Sequence, residues 1–328
     1  MQKTVRIGKW AFCLVLSVSV CLFTGIGGLQ AQDFPTKPIN MVIPYGAGGA
    51  SDLTARAFIG TAKQHLGQPI VVQIKAGGSG AIGSESVAQA KPDGYTVLLG
   101  HTNCNTVLPA VQKRSKGPDD LATVAMVGTS DSVYWVQSSS PFKTIGDVIA
   151  WAKANPDKLV FGCAGAWGVT DFGWRWLEKK AGFTSRNTPY PGGAEALVAL
   201  LGGHIQITRL SLPQSLPHMR AGTIRPLAIP ALKRHEDLPN VPTMKEEGYD
   251  IGLGGSWKGI LAPKGTPKPI IEKLAAGFKK MMEEPAAIAA LKQLGDNFDF
   301  KGPAEYEKHW REEFAIYTEL GKMFKGEK

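Results

Sequence analysis

Three stretches of this chain combine glycine with a position where ligands can reach the backbone. They are Pro44-Tyr-Gly-Ala-Gly-Gly-Ala-Ser-Asp52, Gly77-Gly-Ser-Gly-Ala-Ile-Gly83 and Gly162-Cys-Ala-Gly-Ala-Trp-Gly168. Each follows a short apolar run and precedes a segment with helical spacing. The first N–H groups of a helix have no partner within the helix, and the helix dipole adds partial positive charge there. Glycine lets a ligand come close to those groups. The chemistry this favours is the holding of an anion, a carboxylate or a phosphate. Ordinary helix entry, with Ser51 or Asp52 as caps, is the competing reading for any single loop. Three such loops in one chain shift the balance toward binding.

Two of these glycine patterns also touch enzyme motifs. Gly78-Ser-Gly-Ala-Ile-Gly83 fits GxGxxG after a strand, but a dinucleotide site needs an acid some 20 residues further on, where this chain has Gly100-His101-Thr102-Asn103. No cofactor is therefore expected. Gly77-Gly-Ser79-Gly-Ala81 resembles a nucleophile elbow with its last glycine changed. An exported hydrolase using Ser79, with His101 or His204 as base, is an alternative kept for the structure. The six histidines show no metal-ligand spacing with one another or with cysteine, so no metal is expected.

The elements that would carry these loops alternate. Strands are expected at 39–43, 70–74, 95–99, 123–127, 133–136, 159–161, 205–208, 227–229 and 258–261. Helices are expected at 53–66, from the second glycine loop to 90, and at 144–154, 169–181, 193–202, 213–221, 267–283, 286–294 and 303–324. Apolar strands alternating with helices predict parallel sheets covered on both faces. A strand count of nine to eleven fits two α/β lobes better than one sheet. In such sheets ligands collect at the carboxyl ends of strands, where the glycine loops stand. No internal repeat stands out.

The 328 residues, 43% hydrophobic and 20% charged, suit a globular chain of one large domain or two ordinary ones. At the start, Lys3, Arg6 and Lys9 precede an apolar core from Trp10 to Phe23 and small residues ending at Ala31. That is the pattern of a signal peptide, residues 1–31, on a chain exported to the periplasm. The apolar core is shorter than the ~20 residues that span a bilayer. Its removal takes three positive charges and no acid, so the net charge falls from +9 to about +6. The remaining bases are scattered, which excludes a nucleic-acid surface. Cys104 and Cys163 remain. They could pair after export, but two buried thiols are the better reading.

From Phe34-Pro-Thr-Lys-Pro-Ile39 onward the chain resembles the solute-binding receptors of the tripartite tricarboxylate transporter family, also called the Bug or TctC-type receptors. The matching segments are Pro44–Asp52, Leu66-Gly-Gln-Pro-Ile-Val-Val72, Pro92-Asp-Gly-Tyr-Thr-Val-Leu-Leu-Gly100, Pro189-Tyr-Pro-Gly-Gly193, Leu216-Pro-His-Met-Arg-Ala-Gly222, Leu238-Pro-Asn-Val-Pro-Thr243, Trp257 and Leu261-Ala-Pro-Lys-Gly-Thr-Pro267. The resemblance implies an α/β, two-lobed Venus-flytrap fold of the type II-like periplasmic-binding-protein kind. Lobe 1 would be 32–131 plus 254–328, and lobe 2 would be 132–253. It further implies a monomer, not an enzyme, that traps a small organic carboxylate between lobes. The acid, di- or tricarboxylic or aromatic, would pass to the large and small membrane subunits of a secondary transporter. A sensory receptor presenting its closed form to a signalling partner is the second alternative.

Loops 45–52 and 162–171 match those that hold the ligand carboxylate in such receptors. The residues expected at the ligand are Tyr45, Gly48, Gly49, Ala50, Ser51 and Asp52 in the first loop, and Ser79 in the second. His101, Thr102 and Asn103 follow the third strand. Ala164, Gly165, Ala166, Trp167 and Thr170 belong to the third glycine loop, and Gly192, Arg209 and Ser211 complete the set. Several depart from the family pattern. Tyr45 adds a hydroxyl where phenylalanine is common, Asp171 stands near a usual histidine, and Trp167 could stack on a ring or cap an apolar chain. Arg209 could form a bidentate pair with a second ligand carboxylate.

Overall fold

The computed structural model of the protein describes residues 34–231, 233–250 and 255–324. The expected signal peptide lies outside the described residues. The strands are β1 (Ile39–Ile43), β2 (Ile70–Ile74), β3 (Thr96–His101), β4 (Leu121–Ser130), β5 (Ser132–Gln137), β6 (Val160–Ala164), β7 (Arg186–Tyr190), β8 (Ile207–Ser211), β9 (Ile224–Ala228), β10 (Ser256–Pro263) and β11 (Asp296–Lys301). The helices are α1 (Ala50–Phe58), α2 (Ala62–Leu66), α3 (Ala81–Ala88), α4 (Leu108–Gln112), α5 (Ile145–Ala154), α6 (Val169–Ala181), α7 (Gly193–Leu201), α8 (Leu212–Arg220), α9 (Lys268–Met282), α10 (Pro285–Leu294) and α11 (Pro303–Leu320).

Two sheets form the two lobes, in the orders β11-β4-β10-β3-β1-β2 and β7-β6-β8-β5-β9. The sheets are mixed, which corrects the expectation of parallel ones. Only β2-β1-β3 and β7-β6-β8 run parallel. The remaining pairings are antiparallel. The reason is the route of the chain. β4 leaves the first sheet, Asp131 alone separates it from β5, and β10 comes back between β3 and β4. A strand that leaves and one that returns beside it must point opposite ways. The two crossings touch, because a methyl group placed on Gly255 would stand 2.6 Å from Asp131 Oδ1 and 2.9 Å from Ser130 O.

Each sheet buries its own apolar faces. Ile39, Met41, Ile43, Leu99 and Ile260 are sealed under Phe58, Leu274 and Phe278. In the second lobe Val133, Trp135, Leu197, Leu200 and Leu210 form a separate core. The last helix joins the two. Near its start, Tyr306 and Trp310 pack on Trp257 of β10. Beyond Tyr317 the chain reaches Phe172 of α6, and the Phe324 ring lies 5.2 Å from that of Phe172. Beneath α1, the buried Lys258 Nζ lies 2.8 Å from both oxygens of Asp296 and also bonds Thr54 of α1. Burial pulls the Lys258 ammonium below its ordinary value while Asp296 holds it up.

Candidate ligand-binding cleft

The cleft between the lobes is built from three helix openings and the central strand of the second sheet. Helices α1, α6 and α7 begin at Gly49, Gly168 and Gly192, and none of these glycines supplies a side-chain cap. Helix α5, away from the cleft, shows the contrast. There Thr144 and Asp147 close a reciprocal capping box. The α1 amides of Ala50, Ser51 and Asp52 have no hydrogen-bond acceptor among the described residues. They are left for whatever enters.

The α1 and α6 openings are built alike. Gly49-Ala-Ser-Asp52 is followed by Arg56, and Gly168-Val-Thr-Asp171 by Arg175. Asp52 Oδ2 accepts the Gly48 N–H at 2.9 Å, and its Oδ1 accepts Arg56 Nε–H at 2.9 Å. Asp171 Oδ2 accepts the Trp167 N–H at 2.8 Å and Arg175 Nε–H at 3.0 Å, while Oδ1 accepts from Asn187 at 3.2 Å. Each aspartate pins the loop that leads into its helix. This recurrence between lobes went unread in the sequence, since only glycine, aspartate and arginine repeat identically.

Asn103, after β3, ties the lobes together. Its Oδ1 accepts the Val169 N–H at 2.6 Å, at the first turn of α6. Its Nδ2 donates to Tyr45 Oη at 3.0 Å and to Ser79 O at 3.3 Å. A side chain on Gly168 would collide with Asn103 Oδ1, so glycine is required there by the approach of the other lobe. Ser79 Oγ adds a second tie, donating to Ala166 O at 3.2 Å. His101 aims this arrangement, because its Nδ1 accepts the Asn103 N–H at 3.1 Å. The neutral ring then carries its proton on Nε2. Burial, helped by Lys258, lowers the His101 pKa to about 3. Tyr45 packs edge-on against that ring, and burial raises its phenol well above the ordinary value.

Arg209 lies on β8 and is 4% exposed. Its Nε donates to Ser132 Oγ at 2.7 Å and its Nη1 to Val169 O at 3.2 Å. No carboxylate lies within 4.0 Å of it among the described residues, although the Asp131 carboxylate feels its charge without touching it. A buried guanidinium without a counter-ion is costly unless something anionic joins it.

The cleft holds about 620 Å³ of empty space, its open mouth included. Of the expected residues, Tyr45, Gly49, Ala50, Ser51, His101 and Asn103 line it from the first lobe. Ala164, Thr170, Gly192, Arg209 and Ser211 line it from the second. The other expected residues do not line it, each for a visible reason. Asp52 is turned to the Gly48 amide and Gly48 itself faces solvent. Thr102 Oγ1 accepts the Trp257 N–H at 2.8 Å. Ser79, Gly165 and Ala166 are taken up by the contact between lobes. No imidazole is hydrogen-bonded to Ser79 among the described residues. Trp167 is the clearest correction. Its indole is packed beside Phe324, under the Arg175 guanidinium at 4.4 Å, and is spent on the core.

Sequence reasoning missed Glu195 and Gln214, and the serines Ser132 and Ser256. Glu195 reads as an ordinary acid in the first turn of a helix. Its place two residues after the Gly192-Gly193 pair was the available signal. Cys104 and Cys163 are free and buried, and burial lifts the Cys104 thiol to about 11.

Comparison with known proteins converges on one group. Residues 54–314 match the family model described as tripartite tricarboxylate transporter family receptor. Protein BugT of Bordetella pertussis is 32% identical over 272 residues, which is 81% of this chain and 83% of BugT. The structure of MatC from Rhodopseudomonas palustris with bound malate superposes with a TM-score of 0.82 at 26% identity, covering 88% of this chain and all of MatC. The R. palustris protein Rpa4515 with adipate gives 0.81 at 28% identity, covering 88% and 98%.

Proposed function

Because this chain belongs to the tripartite tricarboxylate transporter receptor family, whose members are solute-binding proteins, we propose that it captures a small organic carboxylate between its lobes in the periplasm. It then hands that acid to the large and small membrane subunits of a secondary transporter. The division into 32–131 plus 254–328 and 132–253 belongs to the same proposal, and Asp131, alone between β4 and β5, supports it.

One observation carries the reading. Arg209 is buried in the cleft wall with no carboxylate within salt-bridge distance among the described residues, and it lines the same cleft as the α1 opening, whose first amides are free. An anion satisfies both at once. The solved relatives with malate and adipate hold acids of this class. A ligand gripped by both lobes shifts the open–closed equilibrium by its differential affinity for the closed form, and closure gives the membrane partner a shape to read.

A thermal-shift screen of carboxylates followed by calorimetry tests this. Ligand at 100 times its Kd adds about 2.7 kcal/mol of stability. Arg209→Ala is expected to weaken the acid found by more than tenfold, about 1.4 kcal/mol or above. A flat response across mono-, di- and tricarboxylates, or unchanged affinity in Arg209→Ala, refutes the reading.

A further inference from the structure

We propose that the ligand is an amino-bearing organic acid, its carboxylate at Arg209 and its protonated amine at Glu195. This rests on the carboxylate reading above and narrows it.

Glu195 is the third residue of α7 and lines the same cleft as Arg209. Neither of its oxygens has a hydrogen bond among the described residues, and Oε2 is shut off from solvent. No lysine, arginine or histidine among those residues lies within 4.0 Å of it. Its position is fixed by two glycines from opposite lobes. A methyl group on Gly46 would stand 3.1 Å from Oε1, and one on Gly192 3.0 Å from Oε2. The carboxylate therefore sits where the first loop of lobe 1 meets the second lobe.

A buried carboxylate oxygen without a donor is as unusual as a buried guanidinium with no carboxylate in salt-bridge reach. Here both occur in one cleft, more than a salt-bridge length apart, so they do not satisfy each other. The N-terminal dipole of α7 offsets part of the Glu195 charge but donates no hydrogen bond to it. A plain diacid could answer Arg209, but would leave Glu195 unpaired or set a second negative charge against it. A molecule carrying both charges answers both groups. Its amine, touching the lobe 2 acid beside the lobe 1 loop, would also reward closure.

Calorimetric titration of the exported chain with matched pairs tests this: aspartate against succinate, glutamate against glutarate, 2-aminoadipate against adipate. In at least one pair the amino form is expected to bind at least tenfold tighter. Glu195→Gln, or Glu195→Ala should the first variant not melt cooperatively, is expected to cut that preference below threefold. The proposal is overturned if every diacid binds as well as its amino counterpart, or if the preference survives loss of the Glu195 charge. In both cases the carboxylate reading stands, because acids still bind. If none of the six binds, the proposal falls, and the carboxylate reading falls with it only if the wider screen of mono- and tricarboxylates is flat as well.

Discussion

The openings of α1 and α6 share a plan but not an occupancy. Both start on an uncapped glycine, and both use an aspartate in the first turn to hold the incoming loop and an arginine one turn on. The α1 amides are unengaged, whereas the Val169 N–H at the start of α6 is already taken by Asn103 from the other lobe. The protein thus supplies with its own amide oxygen the kind of contact a ligand oxygen would make. Part of the contact between lobes is built in, and under the proposed function a ligand would have only the remainder to provide.

The largest test of this likeness is to remove the two aspartates in turn. Asp171 has three partners and Asp52 two, so Asp171→Ala is expected to cost about 3 kcal/mol and Asp52→Ala about 2. Urea titration reads both. Equal losses, or a larger one at Asp52, would show that the shared plan does not bear on stability as the contacts suggest.

A pH series sharpens the comparison next, through the histidine that aims Asn103. The folded His101 pKa is about 3, against an ordinary 6.5. As pH falls from 6.5 toward 3 the unfolded chain takes the proton first, so stability is lost in that window, by at most about 1.4 kcal/mol per pH unit. Glu313 works in reverse. Burial raises it to about 7, so the folded chain takes a proton first between pH 7 and 4.5, and stability is gained as pH falls. The two offset one another in wild type. His101→Gln removes only the loss, and relative to wild type it should gain about 2 kcal/mol between pH 6.5 and 4.5. Parallel pH curves for the two proteins would refute this.

A smaller effect than at Asp171 is expected from Asn103→Ala, whose bonds join neutral groups. It removes the partner of the Val169 amide, the Tyr45 hydroxyl and the Ser79 carbonyl, and should cost about 2 kcal/mol of stability. Its more telling readout is small-angle scattering without ligand, where the variant should be more extended than wild type. An unchanged scattering profile would mean that Asn103 does not hold the lobes together.

Much of this architecture was readable from the residues. The apolar strands β1, β3 and β4 and helices such as α6 and α9 announce themselves by period and glycine punctuation. The strands that escaped are β7 and β11, both at sheet edges, and the short helix α4 escaped with them. The edge strands β2 and β9 keep apolar runs, but β7 and β11 do not: Arg186-Asn-Thr-Pro-Tyr190 is mostly polar, and Asp296-Asn-Phe-Asp-Phe-Lys301 sets only two phenylalanines among polar residues, as one-neighbour strands can. At the cleft, the glycine openings were legible because they are a local chemical pattern. Glu195 was not, because its lack of a partner arises only when Gly46 of the other lobe arrives. Trp167 misled for the opposite reason. Its type suited a ligand, but Phe324 and Arg175, distant in sequence, had already enclosed it.

Arg209 also donates to Ser132, the first residue after the single-residue crossing at Asp131. Under the proposed function, the cation that meets the ligand would thereby be fastened at the crossing of the molecule, not at its rim. A tug on the guanidinium by an arriving guest would act on a very short lever arm. A small displacement there would swing the far tips of both jaws much further, so news of the catch would travel outward already magnified.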